Sequence, residues 1–532
     1  MQTNKIIPST ILSDEQIKFI DFLKQKVDVA QLKNILVNTF NIDSTDCIDT
    51  ITQYATDWSN INGSADLLVK PKTTNECAVI LRLASTIGYS VTVSAGRTNL
   101  TGSATPRGGI ILSIENLNEY KVEIDYNKMQ VSCSPNLYLE SLRNEVLSST
   151  DNKLYYPVDP TSRVDAMVSG TISCNASGFI PGEKGATRYW VKGIDVVFAW
   201  GEHLYVKRGQ YISNNGKFSI HSNNKVIDLR IPNYQRPKIK NASGPYSDSD
   251  NEIDLIDLII GSEGIFCFIS RCELKLDRKP TRYIDLFIGL KCEDDAIKLH
   301  ECIGKILNNN FGNISALEYF GYNCSGFMKN REYLFKSDDD VGVYLQSPVL
   351  NECSYDDELE IWYSRLSELD IDIDLDKVLV LNEPSNWKLF FEARHSLPVN
   401  ALERAKELGT VSVITDTIVP PQNFKKYLLF VHNIIQKNKI EYLLFGHLGD
   451  CHLHFHLLPS KENEKQALEV YRRIVQQSTK LGGVYSAEHG TGKRKRNDFI
   501  ECYGEKAAEQ VINIKKIFDP SMILNIGNVV SV

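Results

Sequence analysis

Glycine-dense loops set between short apolar strand patterns constrain this chain more than any other feature. Ser94-Ala-Gly-Arg-Thr-Asn-Leu-Thr-Gly102 lies between Val91-Thr-Val and Ile110-Ile-Leu-Ser-Ile, both of which read as strands. Small residues in such a loop let backbone N–H groups converge on a ligand, which suits a pyrophosphate. The loop is neither a Rossmann Gly-x-Gly-x-x-Gly nor a Walker loop, because Lys-Ser/Thr is missing and a strand follows it. Alone, it is as readily a turn with no ligand. Gly170-Thr-Ile-Ser-Cys-Asn-Ala-Ser-Gly178 repeats the theme, and Gly261-Ser-Glu-Gly264 follows the apolar Leu258-Ile-Ile. Together the three point to a cofactor.

The pattern around these loops is strand, helix, strand with short links, the signature of an α+β or α/β chain. Leu67-Leu-Val-Lys is a short strand closed by Pro71, and Thr74 to Gly88 is an amphipathic helix ended by its glycine. Residues 1–50 read as a helical segment, with Ser13 as a cap and Phe19, Leu23, Val27 and Leu32 at loosely helical spacing. Gly193 to Ala199 reads as a strand, with Gly201-Glu202 at its turn, and Leu255 to Ser270 as a buried strand with its turn. The polar stretches Ser213 to Asn224 and Ser243 to Asn251 read as exposed insertions. Beyond Asp277-Arg-Lys-Pro the chain turns to longer helices such as Glu293 to Asn308, which places a boundary near residue 278. The expectation is therefore a helical segment 1–50, a cofactor domain 51–278 and a second α+β domain 279–532.

Composition removes several function classes. With 59 Lys+Arg against 67 Asp+Glu over 532 residues the formal charge is −8, which argues against a dedicated nucleic-acid binder. No window of roughly 18 residues is free of charge and apolar throughout, and the N-terminus lacks a basic region followed by an apolar run. The 12 cysteines include no Cys-x-x-Cys, so buried thiols in a reducing compartment are expected rather than a metal or disulfide framework. A cytoplasmic protein follows, with peripheral attachment to the inner face of a membrane left open.

Four of the ten histidines fall within Gly446-His-Leu-Gly-Asp-Cys-His-Leu-His-Phe-His456, and His489 follows Glu488. Imidazoles with a carboxylate are the ligands of borderline divalent metals. On a strand, His452, His454 and His456 share one face, which either binds a metal or presents polar groups to solvent. The basic run Lys493-Arg-Lys-Arg496 reads as a solvated charged turn, with steering of an anionic substrate or contact with an acidic membrane surface as its other readings.

In order, Pro71, the Gly96 to Gly102 loop, Tyr156-Pro-Val-Asp-Pro-Thr-Ser162, Gly170 to Gly178, Gly185 to Arg188, Gly201-Glu202 and Ile260-Gly-Ser-Glu-Gly264 form a recognisable series. Gly446-His-Leu-Gly-Asp450, Ser486-Ala-Glu-His-Gly490 and Leu524-Asn-Ile-Gly527 continue it. The series resembles the vanillyl-alcohol-oxidase superfamily over roughly residues 50 to 530. It is most similar to the branch of FAD-dependent D-lactate dehydrogenase, D-2-hydroxyglutarate dehydrogenase and the D subunit of glycolate oxidase. The resemblance implies an α+β fold: a two-subdomain, PCMH-type FAD-binding domain and a C-terminal α+β cap whose last segment returns to the FAD domain. FAD would then meet Ala95, Gly96, Arg97, Thr98, Asn99 and Gly102, then Pro160, Gly170, Thr171, Asn175 and Gly178, then Gly261, Glu263, Gly264 and Asn525. It would be held without a covalent link, since the first loop has Arg97 and no histidine.

The resemblance also implies a divalent metal, zinc first, held by His447, His454 and Glu488. His489 would be the general base, and Arg394, in Trp387-Lys-Leu-Phe-Phe-Glu-Ala-Arg394, the anchor of a substrate carboxylate. The implied reaction is oxidation of a small D-2-hydroxy acid, such as lactate or glycolate, to the 2-oxo acid. Metal-assisted proton abstraction accompanies hydride transfer to flavin, and electrons pass on to a quinone, a cytochrome or a flavoprotein. A homodimer is compatible with this. Departures from the pattern are Ala95 for glycine, Ile265-Phe-Cys267 for Thr-Leu-Gly, and Cys451, His452 and His456 for Gly, Asn and Asn. Ile414 stands where the 2-hydroxyglutarate enzymes have a lysine, which argues against a dicarboxylic substrate. Two alternatives stay open: an altered flavoprotein subunit acting as an electron relay, and an alkylglycerone-phosphate-synthase-like enzyme, against which Glu488 counts.

Overall fold

The structure, a computed structural model, describes residues 2–23, 27–222, 225–250, 252–337, 340–349 and 354–531. Its first unit grows from local punctuation. Thr73 accepts a hydrogen bond from the backbone N–H of Glu76 and opens the helix Thr74–Ile87, which Gly88 closes in the left-handed region. That helix connects the strand Leu67–Lys70 to Val91–Ser94. Both pair in parallel with Ile110–Ser113 between them, and Asp43–Thr45 adds an antiparallel edge. Before this unit Ser13 and Gln16 form a capping box on the helix Asp14–Phe22. A second helix, Val29–Asn34, starts at Asp28 and continues as a π-helical turn over Ile35–Thr39, so the described part of the N-terminal segment is short helices preceded by the strands Lys5–Ile6 and Ser9–Thr10. Of the spaced apolar residues, Leu32 is buried while Phe19 lies at the surface.

A six-stranded antiparallel sheet forms the second unit, with Val191–Val197 and Phe268–Lys275 at its centre. The helices Arg496–Tyr503 and Glu505–Phe518 bury Phe499, Val511, Ile514 and Phe518 in this sheet's core, so the end of the chain packs against its middle. The third unit is a seven-stranded antiparallel sheet, in which Arg282–Leu290, Val341–Val349 and Ala316–Phe320 precede the hairpin Glu441–His447 and His452–Leu458. Both faces of this sheet carry apolar clusters. Among the described residues no helix is long and apolar enough to cross a membrane. Cys77, Cys133, Cys267, Cys272, Cys324 and Cys451 are buried free thiols, whereas Cys47 and Cys292 are exposed.

Three local readings are corrected. Leu255–Ile259 is a short helix capped by Asp254, with Leu255, Ile256, Leu258 and Ile259 all buried. A run that is apolar on every side carries no period to separate strand from helix. Lys217–Ser222 is a strand between Lys5–Ile6 and Lys225–Arg230, and it buries Phe218 and Ile220 instead of forming an exposed insertion. Asn223 and Asn224 lie outside the described residues. The stretch from Ser243 is buried as well: Ser243 and Ser247 are covered, and the Arg236 guanidinium donates to the carbonyls of Ser243, Gly244 and Pro245 at 2.8, 3.2 and 3.0 Å. That guanidinium supplies the partners a buried loop otherwise lacks. Asn251, the end of the expected insertion, lies outside the described residues.

Candidate active site

The loops of the first two units close around one cleft, with about 1390 Å³ not filled by protein, its mouth included. Ala95, Gly96, Arg97, Thr98 and Asn99 line one wall, and Pro160, Gly170, Thr171 and Gly178 a second. Glu263, Gly264 and Asn525 complete it, with Cys267 beside them. Gly102, Asn175 and Gly261 do not line the cleft; Asn175 accepts from the Arg188 N–H at 2.9 Å and braces the wall from behind. At Gly170 an added Cβ would meet nothing nearer than Ala95 Cβ, at 3.5 Å, so the missing side chain leaves the wall open to a ligand. This geometry fits a long flat cofactor.

One end of the same cleft is formed by His447, Glu488 and His489. The hairpin explains how they meet. His447 pairs with His452 across the two strands, so both side chains lie on one face, and His454 follows two residues on. Cys451, at φ 56, makes the left-handed turn where the resembled motif has glycine. His447 Nε2 stands 3.1 Å from Glu488 Oε1, and His454 Nε2 stands 3.9 Å from Glu488 Oε2. The solvent-facing reading fails, because His452, His454 and His456 are all buried. His456 takes no part in the cluster and stacks on Phe445 at 4.7 Å; burial pushes its imidazole down to about 3. His452 joins the cluster, which the motif-based ligand set leaves out.

Residues from distant segments hold these groups. Glu318 accepts from His447 Nδ1 at 2.6 Å and meets Arg394 Nη2 at 3.4 Å. Arg394 also lies 4.2 Å over the Phe179 ring; it stands behind that lining residue and does not itself line the cleft. Lys240, fully covered, pairs with Glu488 and with Asp450. Asp416, with no exposure, accepts from the backbone N–H groups of Glu488 and His489 at 3.2 and 3.1 Å, and from Ser486 Oγ and Lys495 Nζ. His489 Nδ1 lies 3.5 Å from Asp416 Oδ2, the oxygen that also accepts from the Ser486 and Lys495 side chains. Burial lowers the His489 pKa against the pull of Asp416, which favours a neutral imidazole. Burial disfavours charge on His447 too, but Glu318 and Glu488 outweigh it and bring the imidazole up to about 10. Imidazoles plus one carboxylate, each fixed by an outer partner, are a donor set that suits a borderline divalent ion.

Residues 65–207 match the model of the FAD binding domain, and residues 368–529 match that of the FAD linked oxidases, C-terminal domain. The chain belongs to the FAD-linked oxidases. Three curated relatives align along most of its length. D-lactate dehydrogenase of Anaerostipes hadrus is 26% identical over 479 residues, 87% of this chain and 89% of the relative. D-2-hydroxyglutarate dehydrogenase of Stutzerimonas stutzeri is 25% identical, covering 90% and 94%. Glycolate oxidase subunit GlcD of Bacillus subtilis is 23% identical, covering 87% and 88%. Among solved structures, 4-ethylphenol oxidase from Gulosibacter chungangensis shares the fold at TM-score 0.67 and 16% identity, covering 98% of each chain. An alkyldihydroxyacetonephosphate synthase shares it at TM-score 0.64 and 13% identity, covering 94% of this chain and 85% of its own. This FAD-linked oxidase therefore sits on the branch of D-lactate, D-2-hydroxyglutarate and glycolate enzymes.

In this FAD-linked oxidase the basic run is a clamp and not a solvated turn. Lys493 Nζ donates to the Gly102 carbonyl at 3.2 Å and to Asn528 Oδ1 at 2.7 Å, and Arg494 Nη2 donates to the Ser59 carbonyl at 2.5 Å. Lys495 reaches Asp416 at 2.8 Å. Glu263 ties the same segment from the opposite side, accepting from Ser103 Oγ and from the N–H groups of Thr491 and Gly492 at 2.6 and 2.8 Å. The loop that carries Glu488 and His489 is thus bolted to the glycine-lined cleft. Sequence reading missed Asp416, Lys240 and Glu318. The first had a faint signal, three polar residues in Thr415-Asp-Thr417 just before Ile418-Val-Pro420; the other two had none.

Proposed function

We propose that this protein oxidises a small D-2-hydroxy acid to the 2-oxo acid, with non-covalent FAD in the glycine-lined cleft and a divalent metal held by His447, His454 and Glu488. One observation carries the reading: His447, Glu488 and His489 open into the same cleft that Gly96, Gly170 and Gly264 line. When bound, FAD supplies the acceptor for the two electrons, and the metal supplies Lewis acidity toward the 2-hydroxyl. The protein's own groups do the rest. His489, neutral and backed by Asp416, takes the hydroxyl proton on Nε2. Arg394, held by Glu318 behind the Phe179 ring, supplies the cation for the carboxylate once Phe179 turns aside to admit it. The three relatives named above support the substrate class by what they are called: dehydrogenases of D-lactate and D-2-hydroxyglutarate, and a glycolate oxidase subunit. Ile414 in place of a lysine favours a monocarboxylic acid. Electrons then leave to a quinone, cytochrome or flavoprotein in a cytoplasmic setting.

The test is reduction of an artificial dye by the FAD- and zinc-loaded protein with D-lactate, glycolate and D-2-hydroxyglutarate in turn. At least one monocarboxylic acid should drive reduction faster than D-2-hydroxyglutarate. No reduction with any of them would overturn the reading.

A further inference from the structure

Four ligand-type side chains, not three, converge at the end of the cleft. One donor atom each from His447, His452, His454 and Glu488 lies within 4.8 Å of the others. Each histidine turns one ring nitrogen away from this group. His447 Nδ1 meets Glu318 Oε1 at 2.6 Å, His454 Nδ1 meets the Thr415 carbonyl at 3.0 Å, and His452 Nε2 meets Asp416 Oδ1 at 3.2 Å. The remaining nitrogen of each faces Glu488: His447 Nε2 at 3.1 Å, His452 Nδ1 at 3.9 Å and His454 Nε2 at 3.9 Å. An outer acceptor of this kind fixes the tautomer and the ring orientation of a metal-ligating histidine.

His452 stands apart in one respect. It is 0% exposed, yet neither ring nitrogen makes a well-formed hydrogen bond; Nε2 meets Asp416 at ion-pair distance only. A buried polar atom without a partner destabilises the fold, and such groups in native interiors have a reason. An ion among the four donors gives Nδ1 its partner. This position holds asparagine in the motif the chain resembles, so the added imidazole belongs to this chain and not to the pattern.

Resting on the metal-assisted reading above, we infer that His452 is a fourth metal ligand through Nδ1. The resulting set of three imidazoles and one carboxylate selects a borderline divalent ion such as zinc or cobalt over magnesium or calcium. Nitrogen donors favour such ions, whereas magnesium and calcium favour oxygen.

The test compares the full-length protein with His452→Asn, which is smaller than histidine and returns the motif's usual residue, and with His454→Ala. Zinc affinity is read by competition with a chromogenic chelator, and bound imidazoles are counted by X-ray absorption; thermal melting of the zinc-free proteins checks that each variant is folded. The expected result is three imidazoles on zinc in the parent, two in His452→Asn, and a loss of affinity on the order of 10- to 100-fold. Equal affinity and an equal imidazole count in the parent and His452→Asn, with zinc lost from His454→Ala, overturns the fourth ligand and leaves the metal reading standing. A parent that takes up neither zinc nor cobalt overturns both. Displacement of zinc by magnesium overturns the ion preference.

Discussion

The two ends of the cleft are built on opposite principles. The glycine-lined walls work by what is missing: Gly170 presents no side chain, and the backbone comes within reach of a ligand. The histidine end works by what is added, with Glu318, Glu488, Asp416 and Asp450 set against Lys240, Lys495 and Arg394 in a buried network. A cradle of backbone and small residues tolerates change around it but not within it. A charge network transmits change, because removing one member leaves its partner buried and unpaired. Chemistry and cofactor affinity should therefore separate by mutation even though both ends share one cavity.

The largest effect is expected at the charged end. His489→Ala should retain FAD, since Asn99 and Thr101 meet only the residue's backbone carbonyl, each at 3.4 Å. Its turnover should fall by about 10² to 10⁴, the usual loss on removing a general base. Because burial holds the imidazole below its ordinary pKa, the parent stays active at neutral pH and loses rate only as acid protonates His489. The variant should show no such acidic limb. Stopped-flow flavin reduction across pH measures both, and an unchanged limb in the variant would assign the titration to another group.

A smaller effect, in the other currency, is expected from Gly170→Leu. Its Cβ has room beside Ala95, so the fold should survive while the side chain fills the space FAD needs. A forced overpacking of about 1–3 kcal/mol corresponds to roughly 5- to 150-fold weaker FAD binding. Gly178 makes a poor probe for the same question. A Cβ there would come within 2.2 Å of Asp159 Oδ1 and 2.6 Å of its backbone nitrogen, so any loss of FAD would follow from a damaged fold. Fluorescence titration of FAD onto the apoprotein reads the Gly170 variant; parent-like affinity would move the cofactor away from that wall.

The same contrast explains what the sequence disclosed. Gly88, Thr73 and Pro71 punctuate the first strand–helix–strand unit locally, and the period of two in His452-Leu-His454 places both rings on one face whatever the rest of the chain does. Charge networks carry no such local mark. Lys495 reaches Asp416 across 79 positions of sequence, and Arg394 reaches Glu318 across 76. A basic run therefore reads as a solvated turn until its partners are known. Phe218 and Ile220 were hidden in another way, as two alternating apolar residues inside a segment otherwise rich in Ser and Asn.

The smallest effect concerns the bolt between the two ends. Lys493 is 8% exposed, and burial, with Arg107 nearby, pushes its ammonium down to about 8 from 10.5. Below pH 8 the folded protein carries a buried charge it would rather lose, and that penalty is present in full. Between about pH 8 and about pH 10.5 the folded state has released this proton while the unfolded chain still holds it, so the penalty fades as pH rises. Lys493→Met has no proton to release. Relative to that variant, the parent should gain about 2 kcal/mol of unfolding free energy between about pH 7 and about pH 9.5. Urea denaturation of both proteins at the two pH values isolates the difference, because every other titrating group is common to them. A gap independent of pH would mean that Lys493 keeps its proton in the fold. The ties to Gly102 and Asn528 would then be charge-assisted bonds strong enough to offset its burial.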